Sequence, residues 1–327
     1  MTKALAMTED LPPDLTTTPE LTIIIVSYNT RDLTLAALRT LYDTTRTARF
    51  DTVVFDNAST DGSAEAIAAA FPQVQLIRST DNLGFARANN LVAAAAKTEW
   101  LLLLNPDTEC HPGAVDHLLA FGKAHPKAGI YGGKTVFRDG SLNIASCWGK
   151  ITLWSTVCST FGLTAAFPKS RLFNPEALCG WPRDTVRQVD IIVGCFLLIR
   201  RSLWDQLGGF DLRYFMYGED ADLCIRAAKL GFSPMITPDA VLMHIIGASS
   251  QTRPDKQLLL VKGRVTLIRD HWPAWQVPFG MALMRLRVGL RTLASGILAL
   301  TGKPRARERF ALWSRVWRAR SDWLRGY

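Results

Sequence analysis

The segment Leu21-Thr22-Ile23-Ile24-Ile25-Val26-Ser27-Tyr28 is apolar and β-branched, with no alternation of polar and apolar positions. A strand buried on both faces reads this way, so the run predicts an inner strand of a parallel sheet. Residues 29–32 supply a turn and a helix cap, and 33–41 carry a helical apolar period. A second short strand is predicted over 52–55, ending at Asp56-Asn57, and Asp61-Gly62-Ser63 caps an alanine-rich helix over 64–70. A third strand over 74–77, a helix over 85–97 and a fourth strand over 100–104 follow, the last running into Asn105-Pro106-Asp107. Such alternation through short connections predicts an α/β domain with a mostly parallel sheet. Residues 132–187 are less periodic, rich in aromatic and small polar residues, and read as a substrate-facing region. Residues 189–200 return to an apolar strand-like run, Gly208-Gly209-Phe210-Asp211 is a turn, and 220–230 is a helix ending at Gly231.

In open parallel sheets ligands sit at the carboxyl ends of the strands. The polar residues collect at those ends: Ser27-Tyr28-Asn29, Asp56-Asn57, Asp81-Asn82 and Asn105 with Asp107. Any one of them is equally well explained as a turn or cap residue. Together they favour a nucleotide pocket. Farther along, Glu219, Asp220 and Asp222 crowd three carboxylates into four residues. Like charges so close raise one another's pKa, a cost that a cation or a general-base role would explain. Acids at a helix N-terminus are the competing explanation for all three.

The 327 residues, 48% of them hydrophobic, suffice for one large domain or two small ones. Six cysteines scattered without a C-x-x-C pair argue for a reducing compartment and against a disulfide framework or structural zinc. Residues 1–20 read as a disordered tail without the apolar core of a signal peptide. No uncharged apolar run reaches the length of a membrane span; the nearest, 281–300, is interrupted by Arg285, Arg287 and Arg291. The net charge of +9 lies wholly in residues 281–327, where eleven Lys and Arg face only Glu308 and Asp322. There Phe310, Trp313, Trp317 and Leu324 fall on one helical stripe, with Arg307, Arg315 and Arg318 away from it. An aromatic face flanked by arginines predicts an interfacial helix on anionic lipid, with Trp313, Trp317, Arg315 and Arg318 as its contacts. Homodimer packing is the next reading, and nucleic-acid binding, with no accompanying motif, the last. Trp148, Trp154 and Trp181 would stack on a ligand ring or, the commoner use of Trp, fill a core.

In chain order the signals are Val26-Ser27-Tyr28-Asn29, Asp56 to Ser63, Asn82-Leu83-Gly84-Phe85-Ala86-Arg87, Leu103 to Asp107, Gly209-Phe210-Asp211, Glu219-Asp220-Ala221-Asp222 and His244 to Ser249. This succession resembles the family 2 glycosyltransferases of GT-A fold, a Rossmann-like architecture, and within them the rhamnosyltransferase-like branch. The resemblance covers roughly residues 21–250. It implies a catalytic domain there, with a nucleotide-sugar half over about 21–110 and an acceptor half over about 130–250. Residues 251–280 would connect it to a helical extension over 281–327. It further implies an inverting, metal-dependent hexosyl transfer in cell-surface glycan synthesis. The favoured donor is dTDP-L-rhamnose and the acceptor a lipid-linked saccharide or polysaccharide. UDP-galactofuranose, UDP-N-acetylglucosamine and UDP-glucose are alternative donors, and a non-catalytic sugar-nucleotide-binding or scaffold protein the alternative of another class. By this resemblance Asp107 and His244 hold a divalent cation, Mg²⁺ or Mn²⁺, with Asn105 replacing the first acid of the family's D-x-D-like site. Asp220 is the catalytic base, and Glu219 orients it or contacts the acceptor. Ser27, Tyr28, Asn29 and Asp56 bind the nucleoside, and Asn82, Gly84 and Arg87 run under the ribose and diphosphate. The expected location is the cytoplasmic face of the plasma membrane, held there peripherally.

Overall fold

The structure, a computed structural model, describes residues 18–245 and 256–327. Of the tail expected over 1–20, residues 1–17 lie outside the described residues, as does the Gly247-Ala248-Ser249 end of the last motif. Strands β1 (Leu21–Ser27), β2 (Phe50–Asp56), β3 (Gln75–Arg78) and β4 (Trp100–Leu104) alternate with helices α1 (Arg31–Thr44), α2 (Ser63–Ala70) and α3 (Gly84–Ala95). They pair in parallel in the order β3-β2-β1-β4. After β5 (Thr108–Cys110) and α4 (Ala114–Ala124) the chain adds β6 (Ile130–Val136) and later the strands Phe196–Arg200 and Met235–His244. Phe196–Arg200 inserts antiparallel between β4 and β6, and Met235–His244 pairs with β6 on one side and β5 on the other.

The unbroken apolar runs are explained by cover on both sheet faces. Ile23, Ile25, Val54 and Leu102 join one core layer, Ile24, Val26, Val53 and Leu103 the other. Each such side chain contributes about 1.5–3 kcal/mol by leaving water. All six cysteines are free, five of them buried. The run expected as one strand over 189–200 divides in two. Ile191–Ile192 pairs with Cys147–Trp148 in a separate ribbon, while Phe196–Arg200 joins the main sheet. The chain bends between them because the Gly194 backbone turns toward Asp220 and packs on Phe85, whose ring a Cβ there would meet at 3.2 Å.

The segment expected as a connector contains a helix, Lys256–His271, and a second one, Val277–Ala299, crosses residue 281. Val261, Val265 and Ile268 of the first pack with Met284, Val288, Trp313, Val316 and Trp323 of the following helices in a core of their own. Among the described residues no helix is long and apolar enough to cross a membrane. The expected lipid contact of Trp313 is corrected here. It is 5% exposed, and the arginine of Arg291 lies over its ring at 5.1 Å. The stripe on Pro304–Arg318 faces Val277–Ala299, with Trp317 against Gly289 and Phe310 against Gly296. Trp317 is half-buried, whereas Arg315 and Arg318 are exposed.

Candidate active site

A cavity of about 500 Å³ opens at the carboxyl ends of β1 and β4. Of the residues singled out in the sequence, Tyr28, Asn105, Asp107, Glu219, Asp220 and His244 line it together. They come from four separate stretches of chain, brought together by the sheet.

Strand pairing sets one wall. The antiparallel register of β5 with Met235–His244 puts His244 opposite Thr108, next to Asp107. His244 Nε2 lies 3.5 Å from Asp107 Oδ1, and both side chains are buried. The Asp107 carbonyl accepts from Ile245 N–H at 3.0 Å, and Asn143 Nδ2 donates to the His244 carbonyl at 3.2 Å, so both ends of the pair are tied down. Burial by itself lowers the His244 pKa; the adjacent Cys195 thiol and Asp107 carboxylate outweigh it and raise the value to about 10. Once a bound cation has displaced the Nε2 proton, a buried imidazole beside a carboxylate oxygen is a donor set that suits Mn²⁺ better than Mg²⁺. Among the described residues no group of three His, Cys, Asp or Glu encloses a metal. A cation held by Asp107 and His244 would need its other ligands from outside these side chains.

The facing wall is the start of helix Glu219–Lys229. It is approached through Tyr217 (φ 71°) and Gly218 (φ 108°), both at positive φ, a backbone conformation that L side chains rarely adopt. Glycine is required at 218, where a Cβ would stand 2.9 Å from the Tyr214 ring. The turn leaves Asp220 half-buried at the cavity, its Oδ2 accepting from Gly194 N–H (3.2 Å) and its Oδ1 from Ala221 N–H (2.7 Å). Burial raises the Asp220 pKa in spite of these donors. Glu219 is 4% exposed, and burial, then the charge of Asp220, pushes its carboxyl far above the usual range. Asp222 points elsewhere. Its oxygens meet Arg226 Nε at 2.7 Å and His271 Nε2 at 2.8 Å, and Arg226 also donates to the carbonyls of Leu207 and Gly209. That carboxylate ties the helix to Lys256–His271 and to the glycine turn.

The nucleotide-side residues divide. Ser27 does not line the cavity: it is fully buried, its hydroxyl among those of Thr30 and Thr34 at 3.0 and 3.1 Å, under the start of α1. Asn29 ties the loop after β1 to the loop after β2, accepting from Thr60 N–H at 2.7 Å. Asn82 accepts from Asn57 Nδ2 (3.0 Å) and Gly84 N–H (3.1 Å), so Asn82 and Gly84 frame the entrance to α3. Asp56 is buried beside this frame; Oδ2 accepts from Ser59 N–H, and Oδ1 has no hydrogen bond to a described residue. Arg87 stands exposed on α3, outside the cavity lining.

Among the other wall residues, sequence reasoning left Trp148 open between acceptor stacking and core packing and missed Glu176. Asn57 stood in a quoted motif but was given no role. Trp148 lines the cavity, whereas Trp181 is buried and Trp154 lies outside it with its indole N–H on the Leu172 carbonyl. Glu176 also lines it, held by a bidentate pair with Arg264 at 2.9 and 2.5 Å. Burial would raise the Glu176 pKa, but Arg264 holds it below the usual value. No periodic signal marks these residues.

The sequence profile of Glycosyl transferase family 2 matches residues 22–207. The chain is 30% identical over 274 residues to the N-acetylglucosaminyl-diphospho-decaprenol L-rhamnosyltransferase of Mycobacterium tuberculosis, covering 78% of this chain and 85% of that one. It is 31% identical over 173 residues to the rhamnosyltransferase WbbL of Escherichia coli, covering 49% and 60%. Among solved structures it resembles a mannosyltransferase of Pyrobaculum calidifontis in complex with GDP-Man and Mn²⁺, at 19% identity and TM-score 0.54, over 95% of this chain and 88% of that one. It also resembles GalNAc-T7 with UDP, GalNAc and Mn²⁺, at 14% identity and TM-score 0.57, over 84% and 52%. At these identities the two structures bear on the fold, which is GT-A.

Proposed function

This chain belongs to the family 2 glycosyltransferases, and we propose that it moves L-rhamnose from dTDP-L-rhamnose to a hydroxyl of a lipid-linked or polysaccharide acceptor, with inversion. The observation that carries the reading is the meeting of Asp107 and His244 with Asp220 around one cavity at the strand ends. The choice of rhamnose rests on the likeness to the mycobacterial rhamnosyltransferase over most of both chains.

Asp220 takes the proton of the acceptor hydroxyl at a carboxylate oxygen as that hydroxyl attacks the anomeric carbon. The new C–O bond forms as the bond to the diphosphate oxygen breaks, in a single in-line displacement. Two backbone N–H groups fix the carboxylate, and its raised pKa makes it a better proton acceptor than an exposed Asp. Glu219, kept protonated by burial, orients the base or donates to the acceptor. Asp56 accepts from the pyrimidine ring or the ribose, and Tyr28, which lines the cavity, contacts the base. Asp107 and His244 would hold a divalent cation, which when bound neutralises the departing diphosphate. The acceptor half is walled by Trp148 and the Glu176–Arg264 pair. The enzyme works at the cytoplasmic membrane face, where a lipid-linked acceptor is presented.

The test is release of nucleotide diphosphate by the full chain from a panel of nucleotide sugars, with Mn²⁺ and with excess EDTA. Turnover of dTDP-L-rhamnose that EDTA stops is expected. Turnover of a UDP-sugar alone overturns the donor, and full activity in EDTA overturns the cation on Asp107 and His244.

A further inference from the structure

With Trp313 buried, the helical region shows a different outward face. On Val277–Ala299 the positions 279, 282, 286, 290, 293, 297 and 300 follow one another by three or four residues. All are apolar and exposed, Leu293 by 63% and Ile297 by 60%. The buried residues Met284, Val288 and Ser295 occupy the opposite side, so the helix is apolar on two faces and only one is covered. From Phe279 to Leu300, the residue that caps the helix, the uncovered stripe runs about 32 Å at about 1.5 Å per residue. A patch this long is rare on a monomer's surface without a partner.

Charge identifies the partner. On the flank toward Pro304–Arg318, the side where Gly289 and Gly296 meet Trp317 and Phe310, Arg285 closes a cleft of about 280 Å³ with Arg318, Arg320, Ser321 and Leu324. Arg320 is occupied, donating to the Trp317 carbonyl and lying over its ring at 5.1 Å. Arg285 and Arg318 make no hydrogen bond or ion pair with a described residue. Two uncommitted guanidiniums in a cleft fit an oxyanion with several acceptor oxygens. A second copy of the chain is a poor occupant, because symmetric pairing would bring two segments of net charge +9 together.

We propose that the stripe on Val277–Ala299 lies in the leaflet of an anionic membrane while the Arg285–Arg318–Arg320 cleft takes the phosphate of a lipid headgroup. This rests on the membrane location given above and supplies its surface. The stripe buries apolar side chains at the headgroup boundary, and the arginines are held where the leaflet's negative potential is felt.

The test is sedimentation of the full chain with phosphatidylglycerol-containing or phosphatidylcholine vesicles. Three double variants are compared: Leu293→Glu/Ile297→Glu, Arg285→Glu/Arg318→Glu, and Arg39→Glu/Arg46→Glu as a charge-matched control on exposed residues of the nucleotide half. Wild type and control should bind the anionic vesicles alike. Each of the other two should lose at least about tenfold in binding, the arginine pair at roughly 1 kcal/mol for each basic residue near the surface and the apolar pair by setting two carboxylates in the leaflet. Transfer to a lipid-free acceptor should be unchanged in all, which separates loss of the fold or of catalysis from loss of docking. If the wild type ignores anionic vesicles, the membrane location itself falls. Equal binding by all variants, equal loss in the control, or a solution dimer broken by Leu293→Glu/Ile297→Glu overturns this surface.

Discussion

Asp220→Asn isolates the proton-accepting step. Asn keeps the shape of Asp and one acceptor oxygen, so the 2.7 Å bond from Ala221 N–H can be retained. The amide nitrogen then faces Gly194 N–H, and the weaker 3.2 Å bond is lost at about 0.5–1.5 kcal/mol. Against that, a buried charge beside Glu219 disappears, so net stability should move by no more than about 1 kcal/mol. The rate has no such offset: loss of a positioned base costs about 10²- to 10⁴-fold, or about 3–5 kcal/mol on the barrier. Nucleotide diphosphate release should therefore show kcat lowered by that factor, donor KM within a few-fold of wild type and a nearly unchanged Tm. The pH profile adds a second readout. With its pKa raised by burial, Asp220 gains its base form only above the usual Asp range, so the wild-type rate falls on acidification earlier than for an exposed Asp. The Asn variant should lack that limb. A variant that keeps a tenth or more of the rate, with Tm intact, removes Asp220 from the reaction.

Glu219→Gln bears on the buried neighbour. The folded Glu219 pKa is raised, so its contribution to stability is present at low pH and is lost as pH rises through the folded value. Relative to the Gln variant, wild-type Tm should decline as pH rises from about 4.5 to about 8, where the unfolded chain has lost the proton that the folded one still holds, and level off above; parallel curves would contradict a protonated Glu219. Asp222→Ala should cost about 3 kcal/mol or more in denaturant unfolding, because Arg226 and His271 lose a partner that is 2% exposed. A loss under about 1 kcal/mol would mean the triad does not tie the helix.

The parallel half of the sheet was legible because burial on both faces demands unbroken β-branched runs, and Leu21–Ser27 could satisfy nothing else. Asp107, His244 and Asp220 were legible through motif order, since no local pattern tells a carboxylate facing a cavity from one capping a helix. Ser27 shows that limit. A hydroxyl at a strand end reads the same whether it faces ligand or, as here, the buried threonines of α1. Glu176 and Arg264 stayed hidden because each lies far along the chain from its partner and only the fold makes them a pair. In the C-terminal region periodicity identified apolar faces correctly but not their cover. The aromatic stripe of Pro304–Arg318 is spent on Val277–Ala299, and the exposed stripe is on the covering helix.

That helical layer is also part of the active site's frame. Gly263 of Lys256–His271 packs on the Tyr217 carbonyl so closely that a Cβ has no room. Tyr327 donates its hydroxyl to the Met216 carbonyl at 2.7 Å, and its N–H goes to Thr266 Oγ1 at 2.8 Å. The turn through Tyr217 and Gly218, which aims Glu219 and Asp220, is thus held from behind by the layer that carries the basic charge. Removing residues 281–327 would take away Tyr327 and, of the core residues Val265, Met284, Trp313 and Trp323, all but Val265. Such a truncation disturbs the base and the docking face together, and only substitutions on the outer stripe or in the arginine cleft can separate the two.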